Sequence, residues 1–269
     1  MIKVNGEVVS YGHFPDNTLM MKFDSNFASP YTGKVYYEWF YEEDAELFQL
    51  ICLRRHLSKF KEHKLWMPYI PHARMDRTKS SEDVFTLKYF CEVINSLNFD
   101  EVYVRDPHSN VSVALLDRVV CDDMGFWLNK CLQHIDCSNL VLFFPDEGAM
   151  KRYASLFTDY PIAFGIKKRN WEDGKIVGLQ VVNGDVVKGK DVLIVDDICS
   201  YGGTFYHSAK ALKELGAERI DLYVTHLESS VYSGDAYQSG IINHFYTTPS
   251  LMLTEDLLPC DKHRITVLE

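Results

Sequence analysis

Strand-like and helix-like patterns alternate along this chain in two successive sets, and that alternation limits the architecture more than any other feature. In the first set, "KVYYEWF" (34–40) reads as a strand. "EEDAELFQLICLRRHLSKF" (42–60) then reads as an amphipathic helix with Leu47, Phe48, Ile51 and Leu57 facing inward. "KLWMPYIP" (64–71) is the next strand, and the polar, basic "HARMDRTKSS" (72–81) a loop. "SEDVFTLKYFCEVINSL" follows as a helix capped by Ser80 or Ser81, its apolar stripe formed by Leu87, Phe90, Cys91, Ile94 and Leu97. "EVYVRDPH" (101–108) closes the set as a strand. The second set runs through "LVLFFPDEG" (140–148), a helix from Ala149, "IAFGIKKR" (162–169) and "DVLIVDD" (191–197). A helix from about Thr204 to Leu215, closed by Gly216, and the strand "RIDLYVTHL" (219–227) complete it. The pattern predicts an α/β fold of two similar domains, residues 1–125 and 126–269, each with a parallel β-sheet flanked by helices. The boundary itself falls within residues 118–138.

Composition narrows the partners. With 38 acids against 28 bases the formal net charge is −10, which argues against a general nucleic-acid or membrane-surface binder. Such a balance does not exclude a phosphorylated ligand, because local basic clusters set the field inside a cleft. The start, "MIKVNGEVVSYG", has no apolar leader segment, and no apolar run approaches bilayer length. Seven scattered cysteines suit reduced thiols, so a cytoplasmic protein is expected. Cys131, His134 and Cys137 in "CLQHIDC" are evenly spaced, but zinc would need a fourth ligand and no paired C-x-x-C accompanies them; buried thiols on an ordinary helix are the simpler reading. "GDVVKGKD" (184–191) approaches a nucleotide-binding P-loop, yet Asp191 replaces the required hydroxyl and the segment precedes its strand, so it reads as a turn.

In open parallel sheets, ligands collect beyond the carboxyl ends of the strands. "RDPH", "PDEG", "IKKR" and "VDDICSYGGT" all place polar groups at that edge. The last is the most informative. Gly202 and Gly203 permit a tight turn that aims backbone N–H groups and the Thr204 hydroxyl at one point before a helix, the geometry of a phosphate cradle. Asp196 and Asp197, at the strand end, could accept hydrogen bonds from ribose hydroxyls.

This loop resembles the phosphoribosyl-diphosphate-binding motif of type I phosphoribosyltransferase folds. "YIPHARMDR" followed by "VRDPHSNVSVALLD" is similar to the ribose-phosphate diphosphokinase (PRPP synthetase) family, and the likeness extends over most of the chain. "HFPDNTLMMKF" resembles that family's nucleotide-binding hairpin, "ELFQLICLRRH" its first-domain helix, and "FFPDEGAMKRY" its second metal-site segment. "IKKR" resembles its catalytic basic motif, and "ALKELGAERIDLYVTH" the helix and strand after the phosphate loop. The resemblance implies transfer of the β,γ-diphosphate of ATP to the anomeric hydroxyl of a ribose 5-phosphate group, with Mg²⁺ and release of AMP. It implies that Lys167 and Arg169 stabilise the transition state, and that His108 and Asp146 hold the metal on the ATP phosphates. Arg74 and Arg77 would grip ATP, Phe14 and Asp16 would contact adenine, and loop 72–81 has the make-up of a lid. Asp196 and Asp197 would hold the ribose, and Ser200, Tyr201, Gly202, Gly203 and Thr204 the 5-phosphate. In the family the hairpin reaches a neighbouring subunit's site, which implies a homo-oligomer with a shared ATP site.

Four departures from the family pattern bear on these expectations. The chain starts close to the hairpin, as though the family's opening strand and helix were absent, and it stops at "HRITVLE", before the family's last helix. These trims point to a smaller oligomer than the family's ring. Thr18 stands where the hairpin usually carries an acid. The phosphate loop reads Ser200-Tyr201-Gly202-Gly203-Thr204 in place of Asp-Thr-Gly-Gly-Thr. A bulky ring at 201 suits a 5-phosphate that is esterified further, and ADP-ribose, yielding an ADP-ribose 1-diphosphate for NAD salvage, is the alternative acceptor. A non-catalytic regulatory relative and a base-transferring phosphoribosyltransferase are the competing classes; the second leaves "HARMDR" and the first domain unexplained.

Overall fold

The computed structural model describes residues 1–24, 33–169 and 176–269, with the backbone alone described at 167–169 and 176–178. The chain divides into two compact units, Met1–Asp122 and Asp123–Glu269. Each is an α/β unit built on a largely parallel sheet.

The first unit opens with β1 (Ile2–Val4) and β2 (Glu7–Val8), followed by a hairpin of β3 (Tyr11–His13) and β4 (Leu19–Met21). Then come β5 (Lys34–Trp39), α1 (Ala45–His56), β6 (Glu62–Trp66), α2 (Thr86–Ser96), β7 (Glu101–Val104), α3 (Asn110–Leu115) and β8 (Val119–Cys121). The sheet order is β2-β1-β5-β6-β7-β8, with β5 to β8 parallel and β1 antiparallel to both β5 and β2. Val35, Tyr37, Trp39, Leu65, Val102 and Val104 from the strands pack against Leu50, Leu53, Leu87, Phe90 and Ile94 from the helices.

The second unit comprises α4 (Met124–Leu132), β9 (Leu140–Phe144), α5 (Glu147–Tyr153), β10 (Ile162–Arg169), β11 (Ile176–Val182) and β12 (Asp191–Cys199). It continues with α6 (Gly203–Glu214), β13 (Arg219–Leu227), α7 (Asp235–Gln238), β14 (His244–Thr247) and β15 (Ile265–Val267). Its sheet runs β11-β10-β9-β12-β13-β14-β15, parallel throughout except for β11. Val192 and Ile194 face the α6 side with Phe205, Ala209 and Leu212, whereas Leu193 and Val195 face Ala149 and Tyr153 of α5. This is the near-continuous apolar run of a strand covered on both faces.

Several sequence boundaries shift, each for a local reason. The helix expected over 42–60 is Ala45–His56, and Phe48 is 58% exposed while Glu46 is buried. Glu46 turns inward because its carboxylate accepts from Trp39 Nε1 and from the backbone N–H of Glu42, both at 2.9 Å. A buried carboxylate so satisfied avoids a penalty of several kcal/mol, against the about 1.5–3 kcal/mol that burying Phe48 instead would contribute. The helix expected to be capped by Ser80 or Ser81 begins at Thr86; Asp83 accepts from the N–H groups of Lys79 and Ser80 and holds that stretch in a turn of its own. The expected stripe Leu87, Phe90, Cys91, Ile94 and Leu97 is buried. The strand expected over 64–71 is Glu62–Trp66, ending before Pro68, and that over 101–108 ends at Val104. The strand expected over 140–148 ends at Phe144, before Pro145, and the helix after it starts at Glu147 because Asp146 caps it. The strand at 191–197 continues to Cys199. Residues 184–187 form a short 3-10 turn ahead of β12.

Candidate functional site

In the second unit β9, β10, β12 and β13 run parallel, so their carboxyl ends share one edge. Asp146 follows β9, Lys167 and Arg169 end β10, and Asp196 and Asp197 stand near the end of β12 with the Ser200–Thr204 turn beyond them. Gly165 allows β10 to pass close to β9, since a β-carbon there would stand 2.7 Å from the Pro145 carbonyl oxygen. The side chains of Lys167 and Arg169 lie outside the described residues; their backbone pairs with Leu179 and Ile176 of β11, with a bulge between Lys168 and Arg169.

The turn is built on two different glycines. Gly202 is the N-cap of α6 with φ +75°, a left-handed conformation that suits glycine, and a β-carbon there would stand 2.4 Å from Ala236 Cβ. Gly203 is exposed, and a β-carbon there would meet nothing within 4 Å, so the first turn of α6 faces open space. The first amides of a helix have no intrahelical acceptor and carry the positive end of its dipole, which makes that opening suited to an anion. Thr204 is half-buried beside it, and the Tyr201 ring is 63% exposed.

The acids at this edge repel one another. Burial pushes the Asp196 carboxyl well above the usual carboxylate range, and the nearby charges of Asp197 and then Asp146 push it further. Asp196 accepts from the Asp197 backbone N–H at 2.9 Å. Asp197, itself buried, pairs with Arg152 of α5, Nη1 to Oδ2 3.0 Å. Asp146 accepts from the Ala149 N–H at 3.1 Å as the N-cap of α5. Hard carboxylate oxygens with excess negative charge fit Mg²⁺, which usually takes one or two carboxylates and completes its shell with water and substrate phosphates. Among the described residues no three His, Cys, Asp or Glu side chains are placed to hold a metal ion by themselves, so a metal here would take most of its ligands from water and phosphate. Cys131 is buried in the core, and Cys137 Sγ donates to the Leu132 and Ile135 carbonyls.

In the first unit the parallel strands again place polar segments at their carboxyl ends. Arg74 and Arg77 are exposed on the loop after β6, and His108 is half-buried in the turn after β7. Between them Asp76 is 7% exposed; burial favours its neutral form, but the bonds from Arg77 (Nε at 2.8 Å) and Ser109 and the charges of Arg77 and His108 together outweigh this and hold its carboxyl below the ordinary range. On the hairpin, Phe14 is 51% exposed and Asp16 accepts from the Thr18 hydroxyl at 2.7 Å and its N–H at 3.0 Å. Thr18 thus caps Asp16 locally and keeps it ionised.

The phosphoribosyl transferase domain family matches residues 118–241. A ribose-phosphate pyrophosphokinase of Pasteurella multocida is 30% identical over 211 residues, which cover 75% of this chain. The chain belongs to the ribose-phosphate pyrophosphokinase family. It spans 65% of the length of the Pasteurella relative and of one from Haemophilus influenzae. A Thermococcus kodakarensis ribose-phosphate pyrophosphokinase is 28% identical over 235 residues, with 85% of this chain and 79% of that protein covered. The crystal structure of phosphoribosylpyrophosphate synthetase from Mycobacterium smegmatis superposes with a TM-score of 0.75 at 21% identity, covering 97% of this chain and 85% of that one, a shared fold.

In this ribose-phosphate pyrophosphokinase family member, the strand ends of the second unit carry Asp146, Asp196, Asp197 and the glycine turn; in the first unit Arg77 and His108 both act on Asp76, and Arg74 lies exposed on the same loop as Arg77. Three residues escaped the sequence reading. Arg152 acts through a buried partner on another strand, Asp76 is itself buried beside Arg77 and within reach of Ser109 and His108, and Gly234 is revealed only by its approach to the Tyr201 backbone. A basic residue one helical turn and more after the Asp146 cap is the one available signal, and it does not name Asp197 as its partner.

Proposed function

We propose that the protein transfers the β,γ-diphosphate of ATP to the anomeric hydroxyl of ribose 5-phosphate. The observation that carries this reading is the shared strand edge of the second unit, where acids, a basic strand end and an anion-suited helix start come together. The hydroxyl oxygen forms a bond to the β-phosphorus, the bridging bond between the α- and β-phosphates breaks, and AMP leaves. No covalent enzyme intermediate is needed; the work is alignment and neutralisation of charge.

Arg74, Arg77 and His108 grip the ATP phosphates, and Phe14 and Asp16 contact adenine. Asp196 and Asp197 accept from the ribose hydroxyls, while Ser200 to Thr204 enclose the 5-phosphate. Lys167 and Arg169 stabilise the charge on the transferred group. His108 in the first unit and Asp146 in the second would each hold Mg²⁺, which supplies charge neutralisation on the phosphates when bound. The exposed Phe14 supports a hairpin that serves a second copy's ATP site in a homo-oligomer.

A second reading rests on Tyr201. A ring 63% exposed beside the phosphate turn is available to stack on a group attached beyond the 5-phosphate, which favours ADP-ribose as acceptor. Incubation with Mg-ATP plus either ribose 5-phosphate or ADP-ribose, with AMP release measured, tests both. AMP with ribose 5-phosphate supports the first reading, and AMP with ADP-ribose alone supports the second. No AMP with either acceptor overturns both and favours a regulatory relative.

A further inference from the structure

Among the described residues, Arg152 is a cation at the ribose edge to which the roles above give no part. Arg152 lies in α5, the helix that Asp146 caps, and its Nη1 stands 3.0 Å from Asp197 Oδ2. Asp197 is on the neighbouring strand β12, so the pair ties the segment after β9 to the acids that face the ribose. The helix is firmly seated, because Ala149 and Tyr153 are buried against Leu193 and Val195 of that same strand. The Arg152 guanidinium also lies 5.7 Å from the Tyr153 ring centroid, which limits its freedom to swing away.

Burial gives this pair its weight. The Asp197 side chain is 6% exposed and that of Arg152 29%. A carboxylate at that depth without a partner either takes a proton or rotates toward solvent, and both changes remove an oriented acceptor from the edge. A surface ion pair would have no such consequence. The contact is one of charge at close range, since Nη1 is buried and not aligned for a hydrogen bond to any acceptor. The planar guanidinium is also less strongly hydrated than an ammonium, which favours arginine over lysine at such a depth.

We propose that Arg152 is a positioning residue for the sugar-phosphate substrate, holding the Asp197 side chain in a single orientation for the ribose hydroxyls. This rests on the reading of the second unit as the ribose-phosphate site. Arg152 itself touches no substrate in this scheme; it acts through Asp197.

The test is steady-state kinetics of wild type, R152M, R152K, D197N and the R152M/D197N double variant, with whichever of ribose 5-phosphate and ADP-ribose the wild type uses. R152M is expected to raise the KM for that acceptor by about tenfold or more while the KM for ATP stays within about twofold, since a buried charge loses its partner only at the ribose edge. R152K is expected to recover at least about a third of the lost affinity on a logarithmic scale, because the charge returns without the fork. The double variant is expected to stay within about twofold of D197N, as a neutral side chain at 197 leaves Arg152 nothing to orient.

An unchanged acceptor KM in R152M overturns the proposal. So does a parallel rise in both KM values, or a double variant as impaired as the product of the single ones. Should R152M fail to fold, R152K decides: an acceptor KM raised with the ATP KM unmoved supports the role, and no change in either overturns it. A wild type that forms no AMP overturns the proposed function instead. Calorimetric titration of ribose 5-phosphate and ADP-ribose into wild type and R152K then judges Arg152 separately: weaker binding to R152K supports its role, and equal binding, or none to either protein, overturns it.

Discussion

Gly234 lies so close to Tyr201 that a β-carbon on it would stand 1.8 Å from the Tyr201 carbonyl oxygen and 2.8 Å from its Cα. The contact is backbone against backbone position, so neither side can yield by rotating a side chain. It seats the Ser200–Thr204 turn from outside while Tyr201 stays exposed to solvent.

Gly234→Ala is therefore expected to destabilise the protein by on the order of 1–3 kcal/mol, the range for forced overpacking, and to lower the affinity for the sugar phosphate. Gly203→Ala should behave oppositely in stability. Its β-carbon meets nothing within 4 Å, and replacing a helical glycine should stabilise by about 0.4–1 kcal/mol. If the 5-phosphate occupies that opening, the acceptor KM rises nonetheless. Thermal melts alongside kinetics check both; a Gly203→Ala variant with unchanged KM would place the phosphate elsewhere.

Lys167→Ala and Arg169→Ala should each reduce turnover by roughly 10² or more without unfolding, the usual cost of deleting one transition-state cation. Their circular dichroism should match wild type. Near-normal turnover in both would remove the basic strand end from the mechanism.

Asp196 gives a pH signature. Burial, then the charges of Asp197 and Asp146, raise its carboxyl well above 3.8, so the folded state binds a proton that the unfolded chain has released. Its contribution to stability is full below the ordinary carboxyl range and is lost as pH rises through the raised value. Asp196→Asn keeps an acceptor for the Asp197 N–H but carries no charge. It should raise Tm relative to wild type more at pH 8 than at pH 4, while weakening ribose-phosphate binding. Equal shifts at both pH values would contradict the repulsion.

Tyr201→Thr restores a small hydroxyl at the turn. If the ring stacks on an adenosine beyond the 5-phosphate, the variant should lose about 5- to 100-fold in ADP-ribose use, the range of a base–aromatic stack worth about 1–3 kcal/mol. Ribose 5-phosphate use should stay level or improve. Parallel changes for the two acceptors would count against Tyr201 as the selector.

Periodicity carried the reading furthest where a residue's burial follows from its own hydrophobicity. The stripe Leu87, Phe90, Cys91, Ile94 and Leu97, the strand 219–227 and the turn before α6 were all legible in this way. It failed at α1, where a polar side chain faces inward. Glu46 is buried because Trp39 and the Glu42 N–H satisfy it, and no hydropathy pattern encodes a partner's donor. The N-terminal strands β1 and β2, short and paired antiparallel to a parallel set, also went unread.

At the site the division is the same. The sequence by itself determined the two α/β sets, the order of the polar segments at the strand ends and the glycine turn, because these depend on local spacing and on which residues tolerate a left-handed backbone. Only the tertiary structure decided that Arg152 meets Asp197, that Gly234 presses on Tyr201 and that Gly202 is enclosed while Gly203 is open. Each of those depends on distances between segments far apart in the chain. Packing sets such distances, and no local pattern of residues contains them.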